Sequence, residues 1–320
     1  MSDFWHDIPG MAERLGRVKE IMRATLRSER FPLADAVESL IEGNGKMLRP
    51  ALLLIAGGFG RRNASLEPLA AAVELLHLAT LIHDDVIDDA ATRRGIATVH
   101  ARYGAKEAVL AGDWLFSRCF RLASESSSPE NARLLAWLVG GICSAEIHQD
   151  LERFSWTTSV RSYLRKIAGK TALLFSLSVQ AGAYEAKAGP RVRANLGRIA
   201  YDLGMAFQIM DDVLDYESTE GAMRKPVGKD VCEGLCTLPL ILALRRDEAG
   251  IRPLLSSCKA DDEAVRGVVD RVRACGALDE ARAYAARYTE RARRELARLP
   301  KGRARDQLDA LVTKLLGRRY

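Results

Sequence analysis

The sequence predicts an all-α protein, built as a large antiparallel bundle of helices. Ala and Leu dominate the composition, and the alternation of β-branched residues that marks strands is absent. Prolines fall between the periodic apolar segments rather than inside them. Most of these segments are apolar on more than one face, which is typical of central, mutually buried helices. In such bundles, binding sites are built from side chains on facing helices.

The apolar periodicity predicts ten helices, at about 51–60, 67–89, 104–124, 130–152, 160–184, 190–216, 237–247, 262–275, 277–298 and 304–316. A length of 320 residues alone would allow two domains. No Gly-, Ser- or Pro-rich linker and no repeat divides the chain, so we expect a single domain over 1–320.

Composition favours a cytoplasmic protein. The segment from Met1 to Met22 has neither the apolar core nor the cleavage site of a secretory signal. No uncharged apolar run reaches the roughly 18–20 residues that a membrane span needs. The 6 cysteines are scattered, so we expect neutral thiols rather than disulfides. Cys232 and Cys236 lack the second pair that a zinc site would need.

The net charge of +6 comes from the end of the chain, where residues 271–320 hold 14 Lys/Arg against 6 Asp/Glu. Nucleic-acid binding is one interpretation of such a segment. The charges surround an apolar stripe, however, and this pattern favours a solvated helix face without a nucleic-acid partner. Weak attraction to an anionic membrane surface is compatible with the same charges.

The first acidic motif is His83-Asp84-Asp85-Val86-Ile87-Asp88-Asp89. Asp84 and Asp88 are spaced i, i+4, so both carboxylates project from one helix face. Four neighbouring carboxylates repel one another unless cations lie between them, and Mg²⁺ prefers a few carboxylates together with phosphate oxygens. A solvated helix end is the alternative, but the preceding residues 74–82 are too apolar for a solvated face.

The second acidic motif has the same DDxxD spacing. Gln208, Asp211, Asp212 and Asp215 stand at i, i+3, i+4 and i+7, which places them on one stripe of a helix. A repeated DDxxD motif in apolar surroundings is far more specific than one copy. Two such stripes facing each other would clamp a diphosphate through two or three bridging Mg²⁺ ions.

Basic residues accompany both motifs. Each alone would be a common surface charge, but together they predict two diphosphate sites, one with metal ions and one without. They are Lys46 and Arg49 in a glycine-containing loop before a helix, Arg93 and Arg94 after the first motif, Lys170 before Thr171, and Lys225 after the second motif. His77 lies two turns before Asp84 on the same face. A lone histidine there would be a core residue, but this alignment favours a diphosphate contact.

These segments resemble the trans-polyprenyl diphosphate synthases over about Gly43 to Leu240. The resemblance lies, in the family's order, in GNGKMLRP, HDDVIDDAATRRG, EIHQ, the Lys170-Thr171 pair, GMAFQIMDDVLDY and KPVGKDVCEGLCTLP. Asn44 and Met47 replace a glycine and a basic residue of the family pattern, and Leu235 replaces a common lysine. We expect these departures to be tolerated because Lys46, Arg49 and Lys225 remain.

The resemblance implies the isoprenoid synthase fold, usually as a homodimer, to which a small regulatory subunit can be added. It implies that the metal is held by Asp84, Asp88 and Asp211, supported by Asp85, Asp212 and Asp215. It implies that the catalytic site holds the allylic diphosphate through Arg93, Lys170, Thr171, Gln208 and Lys225. It implies that isopentenyl diphosphate is bound by Lys46, Arg49, His77 and Arg94.

The expected reaction is Mg²⁺-dependent ionisation of an allylic diphosphate (farnesyl or geranylgeranyl), condensation with isopentenyl diphosphate, and loss of a proton.

Ala79 lies about 7.5 Å before Asp84 along the helix. Because Ala79 and Thr80 are small, we expect a long product of about thirty to fifty carbons, which would partition into membranes. A terpene cyclase or head-to-head synthase, a regulatory subunit and a di-metal carboxylate bundle are the alternatives.

Overall fold

The structure is a computed structural model that describes residues 2–27, 33–43, 45–61, 65–93, 95–217, 228–259 and 261–316. Almost all of this chain is helical, which confirms the all-α prediction. Among these residues, no helix is both long enough and apolar enough to cross a membrane.

The helices, in chain order, are α1 (Ser2–Trp5), α2 (Met11–Arg27), α3 (Ala34–Glu42), α4 (Leu48–Gly57), α5 (Glu67–Ile87), α6 (Val99–Tyr103), α7 (Ala105–Ser126), α8 (Pro129–Leu151), α9 (Val160–Ile167), α10 (Leu173–Glu185), α11 (Pro190–Glu217), α12 (Lys229–Cys232), α13 (Leu238–Leu244), α14 (Glu248–Leu255), α15 (Asp262–Ala274), α16 (Ala277–Ala297) and α17 (Arg303–Leu316).

The predicted helices agree with this list in position, with three differences. The expected helix at 160–184 is interrupted by a π-helical turn, Ala168–Ala172, between α9 and α10. The helices α1, α2, α3, α6, α12 and α14 were not predicted. After the first acidic motif, Thr92–Arg93 pairs antiparallel with Ile96–Ala97, and Gly95 takes the left-handed conformation between them (φ 81°).

The contacts group the chain into two units. Unit 1 comprises Met1–Trp137, Phe175–Gly197 and Arg298–Lys314, and unit 2 comprises Leu138–Leu174, Arg198–Ala297 and Leu315–Tyr320. The boundaries between the ranges fall inside α8, α10, α11 and α17, and at the end of α16. The prediction of a single domain stays a prediction.

In unit 1, the apolar helix α5 packs against α2, α4 and α7. Its first residue, Glu67, is fixed by Arg14 at 2.9 Å and by Arg17 at 3.1 Å. A Cβ atom on Gly182 would lie 2.1 Å from the carbonyl oxygen of Leu53, so glycine is required for α10 to approach α4 this closely. These contacts fix α5, which carries the first acidic motif.

In unit 2, the inner face of α11 forms the core with side chains of α9, α13, α15 and α16. Met205, Ile209 and Val213 are fully buried along this face, at intervals of four residues. The second acidic motif follows on the last two turns of the same helix. Packing of the apolar face therefore determines which carboxylates of the motif are buried.

Candidate active site

Most of helix α5 is buried, but one stripe of half-exposed side chains runs along it. It is formed by His77, Thr80, Leu81 and Asp84 and continues to Asp88 just past the helix end. The spacing of i, i+3, i+4, i+7 and i+11 places these side chains on one face. The structure therefore aligns His77 with Asp84 and Asp88 as predicted.

The carboxylates of this stripe lie at the C-terminal end of α5. The helix ends at Ile87, and the backbone N–H of Asp88 still donates to the carbonyl of Asp84 at 2.8 Å. The helix dipole is negative at this end, so it destabilises both carboxylates in addition to their mutual repulsion. A bound divalent cation would offset both effects, and carboxylate oxygens are ligands that Mg²⁺ prefers.

Asp85 is turned into the protein and is only 1% exposed. Its Oδ1 accepts hydrogen bonds from Arg93, at 2.8 Å from Nε and 2.7 Å from the terminal nitrogen. No group of the described chain donates to the buried Oδ2. This pair ties Arg93 to α5 while leaving 30% of the arginine side chain exposed. Arg94 lies outside the described residues.

The predicted loop for the second diphosphate runs from Gly45 to the start of α4. Met47 adopts a left-handed conformation (φ 50°, ψ 41°) immediately before the helix and is buried. Arg49 lies in the first turn of α4, with its guanidinium 5.4 Å from the centre of the Phe175 ring. Lys46 and Arg49 therefore lie beside a helix N-terminus, where anions are stabilised. Asn44 lies outside the described residues.

The second acidic motif, in unit 2, presents its carboxylates unequally. Asp211 is exposed and Asp215 is half-exposed, but Asp212 is buried, with 6% exposure. Tyr163 donates to Oδ2 of Asp212 at 2.6 Å, and Gln208 donates to Oδ1 at 2.8 Å. Both oxygens of Asp212 are therefore held by protein groups.

The Lys170-Thr171 pair lies on the π-helical turn, a feature that is frequent at functional sites. The hydroxyl of Thr171 donates to Oε1 of Gln208 at 2.7 Å, and Lys170 contacts Glu146 at 2.8 Å. A Cβ on Gly204 would lie 2.7 Å from the Cα of Ala172, so the π-turn rests directly against α11. The structure thus joins Thr171, Gln208 and Asp212 in one hydrogen-bonded chain.

Asp230 is a further carboxylate beside the second motif. Its backbone N–H donates to Oδ2 of Asp215 at 3.2 Å. Burial raises the pKa of Asp230 well above its usual value, and the charges of Asp215 and Asp212 raise it further. Burial likewise raises the pKa of Asp212, against the hydrogen bonds from Tyr163 and Gln208. This crowding of carboxylates fits a site for a cation.

Asp230, Glu146 and Tyr163 are not among the site residues predicted from the sequence. Asp230 and Glu146 lie inside the segments KPVGKDVCEGLCTLP and EIHQ, whose pattern was available as a signal. Tyr163 has no signal of that kind, because it meets Asp212 across 49 positions of sequence. Lys225 lies outside the described residues.

The available carboxylates suit a Mg²⁺ site that is completed by water and substrate phosphates, rather than a site formed wholly by protein ligands. Within the described ranges, no three acidic, histidine or cysteine side chains converge to hold an ion. Mg²⁺ usually keeps waters and binds one or two carboxylates together with substrate phosphates. Asp84 with Asp88, and Asp211 with Asp215, each offer such a pair.

The two residues predicted to set product length are placed differently. Thr80 is half-exposed on the stripe that carries Asp84, and its hydroxyl donates to the carbonyl of His77 at 2.8 Å. Ala79 has no exposed surface. Whether either residue limits the product stays a prediction.

Known proteins are similar to this chain over most of its length. The polyprenyl synthetase family model matches residues 32–274. Component 2 of the heptaprenyl diphosphate synthase of Bacillus subtilis is 33% identical over 303 residues, which cover 94% of this chain and 87% of that protein.

Two solved structures are similar over nearly the whole chain. A geranylgeranyl pyrophosphate synthase from Lactobacillus brevis matches with a TM-score of 0.93 and 33% identity, covering 99% of this chain and 100% of that one. The heptaprenyl diphosphate synthase of Staphylococcus aureus matches with a TM-score of 0.93 and 29% identity, covering 98% and 100%. The chain therefore belongs to the polyprenyl synthetase family and is a prenyltransferase with the all-α isoprenoid synthase fold.

Proposed function

We propose that the protein is a Mg²⁺-dependent long-chain trans-polyprenyl diphosphate synthase. It would extend an allylic diphosphate, farnesyl or geranylgeranyl, by repeated head-to-tail condensation with isopentenyl diphosphate. The observation that carries the proposal is the stripe of His77, Thr80, Asp84 and Asp88, which ends at the negative end of α5. Heptaprenyl diphosphate synthases among the similar proteins support a long product.

We assign the metal to Asp84, Asp88, Asp211 and Asp215, with two or three ions bound. When bound, Mg²⁺ neutralises the diphosphate and makes it a better leaving group. Asp85 and Asp212 serve as anchors, because Arg93 holds one oxygen of Asp85, and Tyr163 and Gln208 hold both oxygens of Asp212. This division refines the expectation that all six aspartates form the metal site.

The protein's own groups hold the allylic diphosphate while its C–O bond breaks. We assign this to Lys170, Thr171, Gln208, Arg93 and Lys225, whose N–H and O–H groups stabilise the negative charge that develops on the departing diphosphate. Lys46, Arg49, His77 and Arg94 hold isopentenyl diphosphate, whose double bond attacks the allylic cation. The released diphosphate accepts the proton, so no separate base is assigned.

The alternatives differ in what they do without isopentenyl diphosphate. A terpene cyclase releases diphosphate from the allylic substrate alone, whereas a condensing enzyme requires both substrates. Diphosphate release should therefore be measured with the allylic substrate, with and without isopentenyl diphosphate. We expect release only with both, and equal release without isopentenyl diphosphate would refute condensation.

A shorter product is a second candidate, favoured by the similarity to the geranylgeranyl pyrophosphate synthase of L. brevis.

A homodimer is proposed from the exposed apolar residues of two neighbouring helices in the sequence. These are Val109, Leu110 and Phe120 of α7 and Trp137 of α8, of which Trp137 is 66% exposed. Exposed large apolar side chains of this kind are what an interaction surface buries. Light scattering should give twice the chain mass, and Trp137→Glu should shift it toward the monomer.

The B. subtilis relative is named as one component of a heptaprenyl diphosphate synthase, so an added regulatory subunit is compatible with the proposal. We place the protein in the cytoplasm, from which the apolar product would partition into a membrane. A nucleic-acid partner is not proposed.

A further inference from the structure

The N-terminal residues Phe4 and Trp5 contact the loop that carries Lys46. Trp5 is 1% exposed, and its indole N–H donates to the backbone carbonyl of Lys46 at 2.9 Å. The ring of Phe4 packs edge-on against that of Trp5, with centroids 4.8 Å apart. The ammonium of Lys46 lies over the Phe4 ring, 5.8 Å from its centre.

The contact falls where the loop is strained. The carbonyl that accepts from Trp5 belongs to the peptide between Lys46 and Met47, and Met47 holds a left-handed conformation. A residue other than glycine in this conformation costs free energy and persists only when its surroundings fix it. The Trp5 hydrogen bond and the burial of the Met47 side chain are two such constraints.

Residues from α17 hold Phe4 and Trp5 in place. Lys314 donates to the carbonyl of Phe4 at 2.6 Å, pairs with Asp7 at 2.7 Å, and lies 5.3 Å from the Phe4 ring. Gln307 donates to the carbonyl of Pro9 at 2.9 Å. The N-terminal segment is therefore fixed at both ends of residues 4–9.

We infer that Phe4 and Trp5 are positioning residues for isopentenyl diphosphate, because they fix the backbone and the ammonium of Lys46 before the substrate binds. The inference rests on the proposed function of Lys46. Preorganisation reduces the entropy lost on binding, so it lowers the dissociation constant. The effect should be confined to the substrate that Lys46 contacts.

The test is calorimetric binding of isopentenyl diphosphate, together with kcat and KM for both substrates. Trp5→Phe keeps an aromatic ring but removes the N–H donor. We expect about a five- to tenfold weaker affinity for isopentenyl diphosphate and a matching rise in its KM, with the KM of the allylic substrate unchanged. Phe4→Leu removes the aromatic face beneath Lys46 and should weaken binding about threefold.

Gln307→Ala is the matched control, since it removes one contact of α17 with this segment while Arg303 still donates to the same Pro9 carbonyl at 3.1 Å. It should leave isopentenyl diphosphate binding unchanged. If Trp5→Phe does not fold, Phe4→Leu decides the question. Wild-type affinity in the folded variants, or equal weakening of both substrates, would overturn the inference alone. Failure of the wild type to bind isopentenyl diphosphate would overturn the proposed function and this inference with it.

Discussion

The hydroxyl of Tyr163 donates a 2.6 Å hydrogen bond to the buried carboxylate of Asp212. Gln208 occupies the other oxygen of the same carboxylate, and Thr171 in turn holds Gln208. Asp212 thus anchors the last turns of α11 to α9 through Tyr163, and Gln208 ties the same helix to the π-turn through Thr171. Its neighbours Asp211 and Asp215 stay more accessible to a cation.

Tyr163→Phe should therefore lower turnover without unfolding the protein. A hydrogen bond to a charged group contributes about 1.5–3 kcal/mol, so we expect a fall in kcat of at least tenfold. The Mg²⁺ concentration for half-maximal rate should rise as well, because the motif is less well ordered. Tyr103→Phe, at an exposed tyrosine, is the control and should behave as the wild type. Unchanged kinetics in Tyr163→Phe would show that Asp212 needs no anchor.

Asp84→Ala and Asp211→Ala should each lower kcat by at least about 10²–10³-fold, because each removes a metal ligand that stabilises the departing diphosphate. The thermal midpoint should change little, since removing one carboxylate relieves repulsion. Asp89→Ala is the matched control in the same acidic run, where the side chain is 92% exposed and pairs with His100. Near-normal rates for either ligand variant at saturating Mg²⁺ would contradict the assignment.

Arg49→Ala should raise the KM for isopentenyl diphosphate by about 10–150-fold, the value of one charged hydrogen bond to phosphate. The KM of the allylic substrate should change far less, since the groups assigned to that diphosphate are different. Arg133→Ala, at a 75% exposed arginine, controls for the loss of one positive charge. An equal effect on both substrates would remove Arg49 from the isopentenyl diphosphate site.

Ala79→Tyr should shorten the product. Ala79 lies about 7.5 Å along α5 from Asp84, so a ring there would block chain growth after one or two additions. The first condensation should keep nearly its normal rate. Because Ala79 is fully buried, the ring should also cost about 1–3 kcal/mol of stability. The products are compared by chromatography after dephosphorylation, with Ala79→Ser as the control. An unchanged product from an active Ala79→Tyr enzyme would show that this residue does not limit length.

The buried Asp202 provides a prediction on pH and stability. Its side chain is 2% exposed, and burial raises its pKa to about 6 although Arg291, 3.2 Å away, lowers it. The folded state therefore binds the proton more tightly than the unfolded state, whose carboxyl has a pKa of about 3.9. The free energy of unfolding of the wild type should fall by about 2–3 kcal/mol, through the ionisation of Asp202, as the pH rises from about 4 to about 6.

Asp202→Asn removes this ionisation. The free energy of unfolding of the variant minus that of the wild type should therefore increase by about 2–3 kcal/mol from pH 4 to pH 8. Denaturant unfolding at both pH values measures the difference. Asp270→Asn, at a 75% exposed aspartate, is the control. A constant difference between variant and wild type across this range would mean that Asp202 does not titrate there.

Local spacing made much of this account predictable from sequence. The alignment of His77, Asp84 and Asp88 depends only on the helix period, and both acidic motifs lie where the apolar periodicity of their helices ends. The helix α2, Met11–Arg27, was not predicted although it spans 17 residues. In α2, the buried Leu15, Val18 and Met22 do have helical spacing, and this signal was missed.

What could not be predicted depends on contacts between distant residues. Asp211 and Asp212 stand on one predicted stripe, yet only the packing of Tyr163 shows that Asp212 is buried. The π-turn likewise depends on the close approach of Gly204 to Ala172. The hydrogen bond from Trp5 to Lys46 joins residues 41 positions apart, and neither residue type predicts this contact.

We propose that one chain holds both substrates and joins them. The purified protein should be incubated with labelled isopentenyl diphosphate, farnesyl or geranylgeranyl diphosphate and Mg²⁺, and the dephosphorylated products should be sized by chromatography. We expect label in all-trans chains of about thirty to fifty carbons, formed only when Mg²⁺ and both substrates are present. No incorporation of label with either allylic substrate, or an unlabelled product formed equally well without isopentenyl diphosphate, would contradict it.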